Sequence, residues 1–412
     1  MTTLLIDRLG AQGDGVADTL DGPVYVPFAL PGERVNAAVE GSRGTLMAVL
    51  EASPMRVEPV CRHFADCGGC ALQHLDPVQY RAWKRDRVVQ ALAARGIDAE
   101  VSEIVAGTAR SRRRAVFSAR KTEAGIVLGY NRAASHAIVD IEECFAVLPE
   151  IEASLPMLRS LATLIAVTRD SFHLTVTSTA SGLDVAATGS GKLTEKSRRE
   201  VSDFALRNGL ARLSVDGEII IEPRKPMVQF GSAAAVLPPG GFLQAVAAAE
   251  EAMDGIVAGH LKRAKKVADL FAGAGAFALR LASRSEVHAV EADAAALAAL
   301  DRAFRGTPGL RRITVEKRDL FRRPLTFKEL NAFEGVVFDP PRAGAEDQSK
   351  QIARSDVPYV AAISCNPATL ARDLRILIDG GYAVKQVTPV DQFLWSPHVE
   401  VAALLEKPRK RR

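Results

Sequence analysis

The sequence lacks any run of about 18 uninterrupted apolar residues, so it contains no candidate for a membrane-spanning helix. Its first residues include Asp7 and Asp14 instead of the basic and then apolar stretch of a secretory signal. We therefore expect a cytoplasmic protein with no membrane partner. Hydrophobic residues form 48% and charged residues 25% of the chain, which excludes disordered, collagen-like and coiled-coil proteins.

A large excess of charge of either sign is also missing. The formal net charge is +4 and the pI is about 8.8. These values permit a polyanionic partner such as nucleic acid, but they do not establish one. The chain has 412 residues, which is enough for two or three domains with cores that need no disulfides.

Cysteine is scarce, with five residues in the whole chain. Cys61, Cys67, Cys70 and Cys144 lie in the first half, and Cys365 stands alone in the second. An odd number in a large cytosolic chain argues against a disulfide framework and favours metal binding or catalysis. The sequence therefore predicts two separate cysteine sites, a group of four and a solitary thiol.

The first region, residues 1–54, alternates short apolar runs with Gly, Asp and Pro. This pattern predicts four or five short strands that form a small β-barrel. Such barrels often bind nucleic acid, although a barrel that only packs on its neighbour has the same pattern. The second region, residues 55–240, has a helix expected from Pro77 to Arg95 and then mixed strand signals, which is typical of an α+β domain.

The third region, residues 241–412, alternates apolar strands with helices, beginning with a helix expected from Phe242 to Lys262. This alternation predicts an α/β fold in which a parallel sheet is covered by helices on both faces. In such a sheet, ligands bind in the crevice at the carboxyl ends of the strands. The functional residues of this region are therefore expected at its strand ends.

A glycine-rich turn follows the first strand of the third region. The segment from Asp269 to Phe277 reads D-L-F-A-G-A-G-A-F and joins an apolar strand to a helix. Gly273 and Gly275 let the backbone turn sharply and approach a ligand closely. Glu291 ends the next strand about 20 residues later, where a carboxylate can bind ribose hydroxyls.

Asp319 and Asp339 end later strands of the same region, so they are expected at the same crevice. A G-x-G motif preceded by Asp, without the longer dinucleotide pattern, favours S-adenosylmethionine over a pyrophosphate cofactor. The alternative is that these carboxylates are ordinary helix caps, and this alternative is strongest for Asp319.

Two polar motifs follow later apolar strands. One runs from Asp339 to Arg342 (D-P-P-R), and the other runs from Ser364 to Pro367 (S-C-N-P) and contains Cys365. Arg342 is expected to favour the thiolate form of Cys365, which is the nucleophilic form. Buried unreactive thiols are common, so Cys365 taken alone is better explained as structural.

Together these motifs resemble one family, the S-adenosylmethionine-dependent uracil-C5 RNA methyltransferases. The matching segments lie in the family's order across the third region: Gly241–Gln244, Asp269–Phe277, Asp339–Arg342, Ser364–Asp373 and His398–Glu400. The S-C-N-P block is highly specific. The resemblance implies a Rossmann-like class I methyltransferase domain that acts on RNA.

The resemblance also implies a covalent mechanism. Carbon 5 of uracil is a weak nucleophile, so family members add a cysteine thiolate to carbon 6, and the resulting enolate attacks the sulfonium methyl group. Cys365 matches this nucleophile, and Glu400 matches the base that removes the carbon 5 proton. The apolar neighbours Val399 and Val401 are expected to raise the pKa of Glu400. His398 receives no role.

The same match assigns a set of residues to S-adenosylmethionine binding: Gln244, Phe271, Gly273, Gly275, Glu291, Asp319 and Asp339. The chain departs from the family at Ala276 and near Ala247, where relatives often carry polar residues. Side-chain contacts to the cofactor are therefore not expected at these two positions, and backbone groups have to serve.

The four early cysteines have the spacing C-x5-C-x2-C with a distant fourth member, Cys144. Four thiolates suit either zinc or an iron-sulfur cluster by ligand count. The C-x5-C-G-G-C block followed by Gln73 resembles the 4Fe-4S site of the ribosomal RNA branch of the family, which implies that Cys61, Cys67, Cys70 and Cys144 ligate a 4Fe-4S cluster. The first region likewise resembles that branch's TRAM domain, an OB-like RNA-binding barrel. We expect the cluster to be structural.

Basic residues are concentrated in residues 110–121, called here the arginine-rich segment, with smaller clusters at Lys262–Lys266 and Lys407–Arg412. Arginines along a strand can follow a phosphate backbone, although a solvated charged face has the same composition. The target base has to be unpaired or flipped out to reach the thiol, so a loop or bulge of folded RNA is expected.

These observations predict an enzyme that makes 5-methyluridine in RNA, with 23S ribosomal RNA as the expected substrate and no obligate protein partner. Transfer RNA is the near alternative. Two alternatives come from other classes: a redox protein built on the cluster, for which no second electron-carrier site is visible, and a non-catalytic RNA-binding factor for ribosome assembly. Loss of function on replacing Cys365 would separate the enzyme from the assembly factor.

Overall fold

The computed structural model describes residues 1–133 and 135–408 of the chain. Residues 409–412, which belong to the predicted basic tail, lie outside the described part. Within the described part, the strands form two seven-stranded sheets, one six-stranded sheet and one two-stranded hairpin. No helix in these residues has the length and apolar character needed to span a membrane.

The first 51 residues form the six-stranded sheet. Its strands are β1 (Thr2–Leu5), β2 (Arg8–Leu9), β3 (Gly15–Thr19), β4 (Gly22–Val26), β5 (Arg34–Glu40) and β6 (Arg43–Glu51). They lie in the order β1-β5-β6-β4-β3-β2. Alternate residues point inward, so Leu4, Val26 and Val35 enclose one apolar core. The expected all-β character of this region is therefore observed.

Helix α1 (Pro77–Ala93) follows this sheet and is two residues shorter than expected. The Asp76 side chain accepts hydrogen bonds from the N–H groups of Val78 and Gln79, and Pro77 occupies the first turn, so the sequence itself specifies where the helix begins.

The second sheet is the centre of the middle region. Its strands are β7 (Arg114–Thr122), β8 (Gly125–Asn131), β9 (Ile138–Asp140), β10 (Phe172–Thr179), β11 (Gly182–Thr188), β12 (Arg212–Val215) and β13 (Glu218–Ile221), in the order β13-β12-β11-β10-β7-β8-β9. Three helices accompany it: α2 (Pro149–Ala153), α3 (Leu155–Ile165) and α4 (Glu195–Arg207). Leu158, Leu161 and Val201 pack from these helices into the core of the sheet.

A hairpin of β14 (Met227–Phe230) and β15 (Ala233–Val236) leads to the third sheet. The strands of that sheet are β16 (Lys266–Leu270), β17 (Glu286–Glu291), β18 (Ile313–Lys317), β19 (Gly335–Phe338), β20 (Tyr359–Ser364), β21 (Ala383–Val390) and β22 (Glu400–Glu406). The helices between them are α5 (Ala247–His260), a 3-10 turn (Leu261–Arg263), α6 (Ala278–Leu281), α7 (Ala294–Arg305), α8 (Phe327–Leu330), α9 (Glu346–Arg354) and α10 (Pro367–Asp379).

The third sheet has the order β18-β17-β16-β19-β20-β22-β21, with β22 antiparallel to both of its neighbours and the other pairs parallel. Apolar side chains cover both of its faces, which is the expected Rossmann-like arrangement. The order in which successive strands are added to the sheet reverses at β16, whose neighbours are β17 on one side and β19 on the other. A crevice for a ligand is therefore expected at the carboxyl end of β16.

The segment from α1 to Ile104 packs on this third sheet. Val88, Leu92 and Val101 share a core with residues of the sheet, and the N–H of Ser102 donates to the carbonyl of Val387 at 2.8 Å. The proposed division at residues 54 and 240 therefore does not follow the cores strictly, because part of the second region covers the third.

Helix α5 begins at Ala247, five residues later than expected. The preceding backbone has other partners: Val246 forms a β-bridge with Arg112, and the N–H of Ala245 donates to the side chain of Gln392 at 3.1 Å. Phe242 to Val246 is therefore irregular instead of helical, and its first four residues line a cavity.

Candidate active site

A cavity of about 560 Å³ opens at the carboxyl ends of β16, β17, β19 and β20. Eight of the residues that the sequence assigned to cofactor binding or catalysis line it: Gln244, Phe271, Gly273, Glu291, Asp319, Asp339, Cys365 and Glu400. The fold therefore brings the expected cofactor contacts and the two expected reactive side chains to a single cavity.

Gly275 lies beneath the cavity wall instead. Its φ is 95°, and a Cβ at this position would lie 2.7 Å from Cγ of Leu300 on α7. A side chain there would be strained and would also clash. Gly275 thus permits α7 to pack closely against the turn, and it is not among the residues that line the cavity.

The glycine turn is held by Glu291. Its Oε2 accepts a hydrogen bond from the N–H of Gly273 at 2.9 Å, and its Oε1 accepts from the N–H groups of Ala292 and Asp293 at 2.7 and 2.8 Å. Phe271 and Gly273 both have positive φ, 62° and 53°. The carboxylate fixes a sharp turn beside the cavity and keeps lone pairs for a ligand.

Two aromatic rings form one wall of the cavity. Phe271 and Phe321 have ring centroids 5.4 Å apart, and Phe321 is 49% exposed. Asp319 accepts a hydrogen bond from the N–H of Phe321 at 3.0 Å, so it orders the turn that carries this ring. Phe321 is not among the residues predicted from the sequence. In the structure, its exposed ring beside an acidic strand end suits a flat ligand such as a purine.

A chain of side-chain amides connects the two buried carboxyl groups. Gln244 donates from Nε2 to Oδ2 of Asp339 at 2.9 Å and accepts at Oε1 from Nε2 of Gln392 at 2.7 Å. Gln392 also donates from Nε2 to Oε1 of Glu400 at 2.8 Å. The sequence analysis assigned no role to Gln392; the polar Asp391-Gln392 pair directly after an apolar strand was the available signal.

Cys365 lies between the end of β20 and the start of α10, and its side chain is partly exposed. The next residue, Asn366, caps α10 by accepting a hydrogen bond from the N–H of Ala368 at 3.1 Å. Its Nδ2 donates to the carbonyl of Arg342 at 3.2 Å. The two sequence motifs around Asp339 and Cys365 are therefore tied to each other.

Burial raises the pKa of the Cys365 thiol to about 11, and the nearby carboxyl groups of Glu400 and Asp339 raise it further, while Arg342 lowers it. Arg342 acts in the expected direction, but desolvation and two acidic neighbours outweigh it.

Glu400 is almost fully buried, with 4% of its surface exposed. Burial raises its pKa to about 8, Asp339 adds to the rise, and the hydrogen bond from Gln392 opposes it. The expected upward shift is therefore observed. Its Oε2 is buried and has no hydrogen-bond partner in the described residues. Burial likewise raises the pKa of Asp339 to about 7.

The four early cysteines line a second, smaller cavity of about 50 Å³, together with Tyr130 and Gln73. Burial raises the pKa of Cys67 to about 11 and that of Cys70 to about 12. Within the described residues, no group of three or more Cys, His, Asp or Glu side chains is arranged so that it could hold a metal ion. The four thiols are thus neighbours around a space and are not gathered at one point.

The loop that carries Cys61, Cys67 and Cys70, called here the cysteine loop, contacts the loop that precedes Glu400. The N–H groups of Ala71 and Leu72, which directly follow Cys70, donate to the carbonyl of Trp395 at 2.8 and 3.0 Å. Tyr80 on α1 accepts a hydrogen bond from the N–H of Trp395 at 2.8 Å. Trp395 has a positive φ of 61°. Partners on both sides therefore hold this residue in an unfavourable backbone conformation.

The arginine-rich segment is largely committed to internal contacts. Arg113 is half-buried and pairs with Glu250, with 2.7 Å between Nη2 and Oε2, and Arg114 donates to two backbone carbonyls of the segment before α5. The expectation of a stripe that follows phosphates is wrong for these two arginines, because they brace the cavity wall. Arg120 and Lys121 are exposed on β7.

Comparison with known proteins gives consistent results. A sequence profile described as tRNA (uracil-5-)-methyltransferase matches residues 308–408. An RNA methyltransferase of Mesorhizobium japonicum is 66% identical over 99% of this chain and 98% of its own length. The 23S rRNA (uracil(1939)-C(5))-methyltransferase RlmD of Halomonas elongata is 34% identical over 98% of this chain and 89% of its own length. The crystal structure of the Pyrococcus abyssi tRNA (uracil-54, C5)-methyltransferase with S-adenosyl-L-homocysteine superposes with a TM-score of 0.77 at 21% identity, covering 98% of this chain and 99% of that one.

Proposed function

This chain belongs to the S-adenosylmethionine-dependent uracil-C5 RNA methyltransferases, and we propose that it methylates carbon 5 of a uridine in 23S ribosomal RNA through a covalent adduct with Cys365. The observation that carries the proposal is the single cavity lined by Cys365, Glu400 and the expected cofactor residues. The likeness to RlmD over nearly the whole chain and the C-x5-C-x2-C motif support ribosomal RNA as substrate.

Bound S-adenosylmethionine supplies an electrophilic methyl group on a positively charged sulfur. Phe271 and Phe321 suit the flat adenine ring, and the carboxylate of Glu291 suits the ribose hydroxyls. Gln244, Gly273, Asp319 and Asp339 complete the proposed contacts. These assignments leave Cys365 and Glu400 free to face the uracil.

In the proposed reaction, the Cys365 thiolate adds to carbon 6 of uracil and the electron pair of the C5=C6 bond moves into an enolate. Carbon 5 then takes the methyl group, whose bond to the sulfonium sulfur breaks with the electron pair left on sulfur as S-adenosylhomocysteine, and carbon 5 still carries its proton. Glu400 removes this proton at Oε2, which is buried and has no other partner in the described residues. The released electron pair re-forms the C5=C6 bond as the S–C6 bond breaks, which returns the thiolate and frees 5-methyluridine.

The four cysteines fit the proposed 4Fe-4S cluster. They line one cavity, and four cysteine thiolates are the ligand set that such a cluster takes. We propose a structural role for the cluster, because Cys70 is followed directly by the two N–H groups that hold Trp395.

The RNA path is proposed to use the first sheet, as in the TRAM domain that it resembles, and the exposed Arg120 and Lys121. Transfer RNA is the second candidate substrate, since it appears in the description of the matching profile. In this proposal, residues 1–54 bind RNA, residues 55–240 support the cluster, and residues 241–412 carry out methyl transfer.

The covalent step is tested with two variants. Glu400→Gln should methylate the base and then fail to release it, because the amide cannot take the proton, so a protein band carrying RNA should accumulate on denaturing gels. Cys365→Ser should give no such band. Release of RNA by the Glu400→Gln enzyme at the wild-type rate would refute the assignment of the base.

The RNA substrate is tested separately by mass spectrometry of RNA from a strain that lacks the gene. Loss of 5-methyluridine from 23S ribosomal RNA, with normal levels in transfer RNA, is the expected result. The opposite pattern would identify transfer RNA as the substrate and leave the covalent mechanism intact.

A further inference from the structure

Gln392 occupies the centre of the amide chain and is 3% exposed. Its Nε2 donates both hydrogens, one to Oε1 of Glu400 at 2.8 Å and one to Oε1 of Gln244 at 2.7 Å. Its Oε1 accepts from the backbone N–H of Ala245 at 3.1 Å. All the amide hydrogens of this buried side chain are therefore used.

The orientation of this amide is fixed by the backbone. An amide can be turned by 180° about its last bond with little change in shape, so its partners have to specify the direction. The N–H of Ala245 can only donate, so it has to face the oxygen of Gln392. The reversed amide would place its NH2 group against this N–H and its oxygen against the oxygen of Gln244. The NH2 group of Gln392 therefore faces Glu400.

The orientation of the Gln392 amide distinguishes the two oxygens of Glu400. Oε1 receives an N–H donor, so a proton on Oε1 would point at another hydrogen. Oε2 is buried without a partner in the described residues, and Glu400 lines the cavity beside Cys365. We propose that Gln392 is a positioning residue that reserves Oε2 of Glu400 as the oxygen that accepts the carbon 5 proton. The proposal rests on the methyl-transfer function proposed above.

The same direction continues to Asp339. Because Oε1 of Gln244 accepts from Gln392, its NH2 group has to face Asp339, and it donates to Oδ2 at 2.9 Å. The N–H of Ala245 thus orients both glutamine amides. As a result, Glu400 and Asp339 each accept a hydrogen bond at one carboxyl oxygen. Such amides donate hydrogen bonds without passing protons on. The proton that Glu400 takes at Oε2 therefore returns to solvent through the cavity, and it does not reach Asp339.

The role predicts a specific defect. Without Gln392, either oxygen of Glu400 can hold a proton, and the hydrogen bond that lowers its pKa is lost. Glu400 then becomes an effective base only at higher pH, and a smaller fraction of it is correctly oriented. Addition of Cys365 to carbon 6 and methyl transfer precede the proton step, so they should keep their rates.

The test uses Gln392→Leu and RNA with tritium at carbon 5 of the target uridine. In a single turnover, methyl transfer is followed with carbon-labelled S-adenosylmethionine and proton removal is followed as tritium released to water. In the wild type, tritium release should follow methyl transfer closely. In Gln392→Leu, methyl transfer should be normal while tritium release slows about tenfold at pH 7, and the pH dependence of the release should move up by about one unit.

Gln386→Leu is the matched control, since Gln386 lies on β21, the strand that leads to Gln392, is exposed, and donates from its side chain to Thr388 at 2.9 Å. It should behave as wild type. The ratio of the two labels reports only on active molecules, so partial unfolding does not alter it. If Gln392→Leu cannot bind S-adenosylhomocysteine, Gln392→Glu replaces it; this variant donates only while protonated, so its lag should grow as pH rises.

Tritium release in step with methyl transfer at every pH would overturn the proposal. Loss of methyl transfer in a variant that still binds S-adenosylhomocysteine would also overturn it, because Gln392 would then act before the proton step. Failure of the underlying function has a different signature: wild-type protein and Glu400→Gln would both lack the covalent RNA adduct.

Discussion

Binding of S-adenosylmethionine should activate the Cys365 thiol. In the cavity without ligands, burial and the carboxyl groups of Glu400 and Asp339 raise the pKa of this thiol to about 11. The cofactor brings a positively charged sulfonium sulfur to the same cavity. A positive charge favours the thiolate, so the pKa of Cys365 should fall when the cofactor binds.

The size of the effect follows from Coulomb's law. For charges separated by about 6 Å at an effective dielectric constant of about 20, the interaction is roughly 3 kcal/mol, which corresponds to about two pKa units. The same charge favours the ionised forms of Glu400 and Asp339, and their negative charges offset part of the shift. A fall of one to two units from about 11 is therefore expected, which raises the thiolate fraction at neutral pH roughly ten- to a hundredfold.

The measurement is the rate at which iodoacetamide alkylates Cys365, read by mass spectrometry of its peptide as a function of pH. S-adenosylhomocysteine is the matched control, because it has the same shape without the positive charge. The pKa should fall with S-adenosylmethionine and change little with S-adenosylhomocysteine. Equal shifts with both ligands, or none with either, would refute the electrostatic argument.

Three further predictions concern stability and the cysteine loop. Because the pKa of Glu400 is raised to about 8 in the folded state, wild-type stability should fall as pH rises from about 4.5 to 8, and thermal melts of Glu400→Gln should show a smaller fall, since the raised pKa of Asp339 acts in the same direction. Gly275→Ala should destabilise the protein by about 1–3 kcal/mol in urea unfolding, and Leu300→Ala in the same chain should relieve part of the loss. If the proposed 4Fe-4S cluster is present, Cys70→Ser should remove its visible absorbance and lower kcat while calorimetry shows unchanged S-adenosylhomocysteine binding.

The sequence predicted the strand ends well because those signals are local. An apolar strand followed by glycines or a carboxylate is readable within ten residues, and the Rossmann-like order then brings Glu291, Asp339 and Cys365 to one crevice. Glu400 was found through the motif match, and its raised pKa follows from apolar neighbours in the sequence. These predictions needed only local patterns and a known sheet arrangement.

Gln392 and the ionisation of Cys365 could not be predicted in this way. Gln392 gains its meaning from Gln244, which lies 148 residues away in the chain. The thiol's pKa depends on burial and on two carboxyl groups from other strands, so a single basic neighbour was a poor guide. The arginine-rich segment was misjudged for the same reason, since its internal partner Glu250 lies on a helix of the third region.

The loop from Asp391 to Val399 connects the second region to the proposed active site in the third. This loop carries Gln392 and leads directly into Glu400, and residues of the first 95 positions hold it. Buried Lys84 on α1 donates to the carbonyl of Phe393 at 2.9 Å and pairs with Asp391, while the backbone after Cys70 holds Trp395. A displacement of the cysteine loop would therefore be transmitted through backbone hydrogen bonds to Glu400, whose Oε2 is proposed to accept the proton. The contacts proposed for the cofactor would not change.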